Sequence, residues 1–210
     1  NSERFHLQLR VQKFYLKNSN RHRMIKEFNE LCERFRDPKS RVDAERKLVE
    51  FRKSRDAIEQ SINIIVSKDA TGFARFQATS ICRDVALERW TRLGVQKQNT
   101  IREHLLKYVV NHFNDLPKFV SKQILHTVAS FYKRTWTSLS EEDVNAVFAQ
   151  IQTIMRQNVR CANAYLQIIV DEFLASRSSA MGLKLEWHRN VQQRFSKSGL
   201  RRCLEMGMIQ

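Results

Sequence analysis

Hydrophobic residues recur three and four positions apart through most of the chain after Arg21. The first such stripe consists of Met24, Ile25, Phe28, Leu31, Cys32 and Phe35. Because this spacing matches the helical period of 3.6 residues, it predicts an amphipathic helix that buries one face. Similar stripes predict further helices over residues 42–54, 58–67, 71–93, 101–113, 117–136, 144–155, 159–174, 183–195 and 200–209.

Four positions mark the expected start or end of a helix. Pro38 ends the first helix, since proline disfavours the helical conformation in the residue before it. Gly94 is expected to close the helix that covers 71–93, and Pro117 is expected in the first turn of the helix that follows. Ser140 precedes three acidic residues, and this combination of a capping hydroxyl with anions at the positive helix end predicts a helix start.

Taken in pairs, these helices repeat every 40–45 residues or so, which is typical of HEAT and armadillo units. The pairs cover about 21–54, 56–93, 97–136 and 141–176, and a fifth begins at Gly182 and is expected to be truncated. A globular helical bundle would also bury such stripes. The even spacing favours an all-α fold of the α-solenoid type, an alpha-alpha superhelix of HEAT/armadillo-like helix pairs over residues 21–210.

Residues 1–20 follow a different pattern. Phe5, Leu7, Leu9 and Val11 alternate with polar residues, which is the period of a strand. The sequence offers no second candidate strand to pair with this one. We therefore expect residues 1–20 to be a poorly ordered extension.

Composition limits the chemistry that the chain can perform. With 5 Gly and 2 Pro, glycine-rich phosphate loops are nearly excluded. The four cysteines lie far apart without the spacing of a zinc site, and are expected to be buried, reduced thiols. The histidines, serines and acidic residues form no catalytic constellation. We expect a binding protein that is not an enzyme and that uses neither a metal nor another cofactor.

The formal net charge of +15 is spread along the chain. A solvated surface with interspersed charges explains it most simply, and a nucleic-acid-binding face is the sharper alternative. Arg52-Lys53 and Lys133-Arg134 fall near the ends of predicted helices, where cations favourably face the negative end of the helix dipole. The rival interpretation is that these clusters contact phosphates or an acidic partner.

Several motifs occur in a fixed order along the chain. They are Phe51-Arg52-Lys53-Ser54, Phe76-Gln77-Ala78 in a helix that runs on to Trp90, Lys133-Arg134-Thr135-Trp136, and Met181-Gly182-Leu183 followed by Glu186-Trp187-His188. In this order the chain resembles the N-terminal region of the importin-β superfamily of nuclear transport receptors, most clearly at residues 41–93. The run from Glu27 to Leu204 looks most like the exportin-four group.

The resemblance implies a transport receptor that shuttles between cytoplasm and nucleus. Its expected partners are the GTP form of the small GTPase Ran, nuclear pore proteins with Phe-Gly repeats, and protein cargo. The family signature implies packing roles for Ala44, Leu48, Phe51, Phe76, Ala78 and Trp90. The inner helices imply polar Ran-contact candidates at Lys47, Arg52, Lys53, Arg75, Asp84, Glu88, Lys122, Gln123 and Lys133. The alternative function is a basic helical-repeat adaptor that binds RNA or acidic protein segments without Ran.

Overall fold

The computed structural model describes residues 20–175 and 183–208, and this part of the chain is helical without any β-strand. The all-α prediction is confirmed. The helices are α1 (residues 20–36), α2 (Arg41–Lys53), α3 (Ala57–Ile65), α4 (Gly72–Glu88), α5 (Trp90–His112), α6 (Lys118–Thr135), α7 (Glu141–Gln157), α8 (Val159–Leu174), α9 (Leu185–Phe195) and α10 (Arg201–Met208). A 3-10 turn (Trp136–Ser138) follows α6, and a π-helical turn (Ser196–Leu200) joins α9 to α10. The expected extension at 1–20 falls almost wholly outside the described residues, as does the Met181-Gly182 step.

The chain divides into two compact units, with the boundary inside α4 between Ala78 and Thr79. In the N-terminal unit, the apolar stripe predicted on α1 supplies the buried residues Ile25, Phe28 and Cys32. The Asn29 amide lies beside the loop before α4, where it donates to the Asp69 carbonyl at 2.8 Å and accepts from the Thr71 amide at 3.0 Å. The side chain therefore fixes this loop by pairing two of its backbone groups.

The C-terminal unit is built around α6, which packs against α5 and α8. Helix α8 in turn packs against α7, α9 and α10. Beside the end of α6, the rings of Trp136, Phe173 and Phe195 form a fully buried cluster with centroid separations of 4.4 to 5.7 Å. Tilted and edge-on ring pairs at such distances add to the stabilisation that burial alone provides.

The helix start predicted at Ser140 is confirmed as a reciprocal capping box. The Asp143 amide donates to the Ser140 hydroxyl at 3.1 Å, and the Ser140 amide donates to the Asp143 carboxylate at 3.1 Å. The hydrogen bond from the Ser140 amide, and after it one from the Ser140 hydroxyl to the same carboxylate, hold the pKa of Asp143 below its usual value. Pro117 is the N-cap of α6 and directly precedes its first turn.

The prediction of one helix over 71–93 is wrong. Helix α4 ends at Glu88, and Trp90 already belongs to α5. Gly94 lies inside α5 with a positive φ of 69°, a conformation that glycine adopts without strain and that kinks the helix. The buried Gln98 side chain donates to the Trp90 carbonyl at 2.8 Å and so links the two sides of the kink.

All four cysteines are buried free thiols, as predicted. Burial raises the pKa of the thiols of Cys32, Cys82 and Cys203 to about 12, and that of Cys161 to about 11. These groups are therefore protonated at neutral pH and act as small apolar side chains. Within the described residues, no helix has the length and apolar character that crossing a bilayer requires.

Candidate functional site

Three of the predicted contact residues lie on the exposed side of α2. Lys47, Arg52 and Lys53 are exposed, while Ala44 and Leu48 on the same helix are buried. The Lys47 amine lies 3.7 Å from the carboxylate of Asp43, whose pKa is lowered chiefly by a hydrogen bond from Arg46. Arg52 and Lys53 lie in the last turn, at the negative end of the helix dipole.

Arg75 has a role inside the fold of the N-terminal unit. Its side chain is half-buried, and its guanidinium donates to the Ser67 carbonyl at 2.7 Å. This hydrogen bond joins the start of α4 to the loop before it. Arg75 is consequently a less suitable contact for a large partner than the exposed cations of α2.

Four other predicted contact residues lie on α4 and α6 in the C-terminal unit. Gln123 donates to the Ser80 hydroxyl at 3.0 Å, which sets α6 beside the second half of α4. Asp84 and Glu88 follow Ser80 at intervals of four residues, so the three share one face of α4. Asp84 is half-buried in an ion pair with Arg83 at 3.1 Å, while Glu88 and Lys122 are exposed. We call Asp84, Glu88, Lys122 and Gln123 the α4–α6 surface.

Lys133 is not on the surface, so its prediction as a solvent-facing contact is wrong. Its side chain has no exposure to solvent, because the end of α8 covers it. The amine donates to the Glu172 carbonyl at 2.5 Å, lies 3.5 Å from the Ala175 carbonyl and lies 3.8 Å from the Glu172 carboxylate. A cation does meet the negative end of a helix dipole here, but the helix is α8 and not α6.

Two histidines complete this arrangement, which we call the Lys133 cluster: Lys133, Glu172, His126 and His188. The ring of the half-exposed His126 lies 3.2 Å from the Glu172 carboxylate. Burial lowers the pKa of Lys133, and burial together with the charge of Lys133 lowers the pKa of the buried His188, while Glu172 opposes both shifts. Polar contacts of Lys133 and His126 with the end of α8 join α6 to α8, and His188 on α9 lies close enough to respond to the charges of Lys133 and Glu172.

Sequence reasoning missed the contributions of Glu172 and His188. Glu172 lies on α8 and His188 lies on α9, both far from Lys133 in the sequence. Neither belongs to a motif that indicates a shared site. The only available signal was Lys133 itself, which interrupts a nearly continuous run of apolar and small residues on α6. A cation in such a position needs a buried partner.

The predicted packing residues differ in how far they are buried. Ala44, Leu48, Ala78 and Trp90 are buried. The Trp90 ring lies 5.3 Å from the Phe131 ring, which anchors the first turn of α5 on α6. Phe51 and Phe76 are half-buried, so they are less deeply buried than the other four. The Phe51 ring nevertheless packs against Phe28 at 5.0 Å.

No protein-family model matches this sequence, and no solved structure matches the chain significantly. Because neither comparison found a match, the resemblance to nuclear transport receptors stays a prediction. In the part of the chain that the structure describes, no group of three or more His, Cys, Asp and Glu side chains could hold a metal ion. Two exposed polar surfaces, on α2 and across α4 and α6, are the candidate contact regions.

Proposed function

We propose that this chain is the N-terminal part of an exportin-like nuclear transport receptor, most like the exportin-four group. In this role it binds Ran in its GTP form, carries protein cargo and contacts the Phe-Gly repeats of nuclear pore proteins. Such a receptor shuttles between cytoplasm and nucleus.

The observation that carries the proposal is the position of the ordered motifs on successive helices. Phe51-Arg52-Lys53-Ser54 closes α2, and Phe76-Gln77-Ala78 lies within α4. Lys133-Arg134-Thr135-Trp136 closes α6, and Glu186-Trp187-His188 opens α9. Three of these motifs thus lie at the end or the start of a helix, and the fourth lies inside α4, so each falls on a different helix in the expected order.

Packing in the C-terminal unit supports the solenoid that the proposal requires. Helices α5 and α6 form one neighbouring pair, and α7 and α8 form the next. The second helices of successive pairs also contact each other, since α6 packs on α8 and α8 packs on α10. Contact between equivalent helices of neighbouring repeats is what a helical-repeat array needs in order to bury a continuous core.

The burial of individual side chains reduces the set of candidate residues for Ran binding. Lys133 is excluded because it is buried, and Arg75 is held by the backbone of its own unit. The remaining candidates are the exposed cations of α2 and the α4–α6 surface. The second surface combines the carboxylates of Asp84 and Glu88 with the amine of Lys122. It therefore suits a partner that presents both signs of charge, with basic residues facing the carboxylates.

The test is a binding assay with Ran loaded with GTP or GDP. The proposal predicts retention of the GTP form and little retention of the GDP form. The double substitution Asp84→Lys and Glu88→Lys should weaken binding of the GTP form by about tenfold or more, because it places like charges against basic residues of the partner. Lys47→Glu with Arg52→Glu tests the surface of α2 separately.

The matched control is Glu103→Lys with Asp115→Lys, which makes the same change in charge at exposed positions of α5 and of the turn after it. This control should bind as the unchanged chain does. Thermal unfolding of each variant separates a lost contact from lost folding, which matters because Asp84 pairs with Arg83. Equal retention of both nucleotide forms, or retention of neither by the folded chain, would contradict the proposal.

A further inference from the structure

An open groove of about 840 Å³ lies in the C-terminal unit, between the start of α7 and the continuous helical segment from α9 to α10. Its lining carries four cations and one carboxylate. These residues are Arg194, Lys197, Arg201, Arg202 and Glu141. We call this feature the basic groove, and none of the Ran-contact candidates lies in it.

The π-helical turn explains how the cations come to share one wall. Gly199 lies directly under the aromatic cluster, where an added Cβ would stand 2.6 Å from the Phe195 ring and 3.2 Å from the Trp136 ring. Only glycine allows this close approach of the backbone to the rings. The turn accommodates an extra residue there, as π-helical turns do. The opposite side of the same segment carries Lys197 and the flanking arginines into the groove.

Hydrogen bonds within the chain hold the two walls of the groove together. The Arg194 guanidinium donates to the carbonyls of Thr137 and Leu139, which joins the α9 wall to the segment before α7. Arg202 donates to the Asn145 side chain at 2.6 Å and lies 5.4 Å from the centre of the Phe148 ring, which joins α10 to α7. Both walls are therefore cross-linked, which reduces the entropic cost of binding a partner.

The charges of the groove are only partly neutralised by the described residues. The acceptors of Arg194 and Arg202 are neutral, so these two hydrogen-bonded guanidinium groups keep their full charge. Arg201 pairs with Glu205 at 2.7 Å, but its side chain is 86 % exposed, and such surface pairs exchange readily. Lys197 is exposed, and within the described ranges no carboxylate pairs with it. The groove thus presents an excess of positive charge.

We propose that the basic groove binds an acidic peptide segment of a partner protein. Carboxylates are attracted by arginine and lysine side chains, and the groove brings four such cations together on one wall. Its volume exceeds what a single phosphate needs and suits a length of chain. The rings that lie close to it, Trp136, Phe148 and Phe195, are buried, so they offer no platform for the base stacking on which single-stranded nucleic acid binding relies.

The experiment measures fluorescence anisotropy with the full chain and a labelled peptide in which Glu and Asp alternate with Ser. A peptide of equal length with Gln and Asn, and a labelled oligouridylate, are the comparison probes. We expect the acidic peptide to bind more tightly than both and its affinity to fall as NaCl is raised. Lys197→Glu with Arg201→Glu should weaken its binding by about tenfold or more.

Arg156→Glu with Arg160→Glu is the matched control, since it makes the same change in charge at exposed positions outside the groove. It should weaken binding by less than about twofold. If the groove variant and the control lose the same affinity for the acidic peptide, the binding is unspecific charge attraction and the inference is overturned. Tighter binding of oligouridylate that is lost in the groove variant, or no binding of the acidic peptide, would overturn it as well. The result is independent of the Ran assay, which probes other helices.

Discussion

Helices α2 and α6 end in the same way in the sequence, yet their last turns differ in the folded chain. Both carry two adjacent cations there, Arg52-Lys53 on α2 and Lys133-Arg134 on α6. On α2 both cations are exposed, whereas on α6 Lys133 is fully buried against the end of α8. A cation at a helix end therefore stays on the surface unless the end of another helix covers it. Where it is covered, it forms buried hydrogen bonds that hold the two helices together.

The extent of packing accounts for this difference. Helix α2 buries only Ala44 and Leu48 and leaves the rest of its surface open or half-covered. Helix α6 is buried on nearly every side between α5 and α8. A partner protein can reach Arg52 and Lys53 but not Lys133. The comparison thus favours the last turn of α2 as a contact surface and Lys133 as a structural residue.

The largest expected effect is on stability when Lys133 is truncated. Lys133→Ala leaves the buried Glu172 carboxylate and the end of α8 without their cation, and should lower the free energy of unfolding by about 3–5 kcal/mol. Lys53→Ala, the matched change on α2, should lower it by about 0.5 kcal/mol or less, as exposed substitutions do. Urea unfolding measures both. Similar small losses would mean that Lys133 does not tie α6 to α8.

A second comparison concerns the aromatic residues near the same two helix ends. Trp136→Ala removes a ring that is 1 % exposed and should cost about 3–5 kcal/mol. Phe51→Ala removes a half-buried ring and should cost clearly less, since part of its surface already contacts water. The free energies of unfolding from denaturant titrations check this order. A reversed order would show that the N-terminal unit depends more on its aromatic contacts than its burial implies.

The smallest expected effect is a dependence of stability on pH that belongs to the Lys133 cluster. The pKa of His188 is lowered in the folded chain from its ordinary value of 6.5, by burial and by the charge of Lys133. The unfolded chain therefore takes up more protons below pH 6.5 or so, and stability that is present above this pH is lost as pH falls through the folded-state pKa. His188→Gln should make the unfolding midpoint less sensitive to acid.

The control for this titration is His104→Gln, at an exposed position of α5. As pH is lowered, the unfolding midpoint of this variant should decrease as steeply as that of the unchanged chain. His126 and Glu172 face the same cluster, so the comparison rests on the difference between the two variants and not on the total slope. An equally steep fall for His188→Gln would contradict the assigned role of His188.

The sequence by itself determined the elements that depend on neighbours a few residues apart. The apolar stripe of α1, the capping box at Ser140 and the start of α6 after Pro117 all follow from periodicity and from local hydrogen bonds. The break near Gly94 was only half predictable. Glycine marks the interruption, but the end of α4 at Glu88 places Trp90 on the following helix, contrary to the pattern of apolar residues.

The tertiary structure alone decided which of the polar residues are accessible. Three features depend on segments that lie far apart in the sequence. They are the burial of Lys133, the half-burial of Phe51 and the hydrogen bonds from Arg194 to carbonyls before α7. A cation gains such a partner only when another helix end comes within hydrogen-bond distance, and no local pattern encodes that distance. The candidate surfaces on α2 and across α4 and α6 were therefore predictable as polar helix faces, whereas the Lys133 cluster and the basic groove were not.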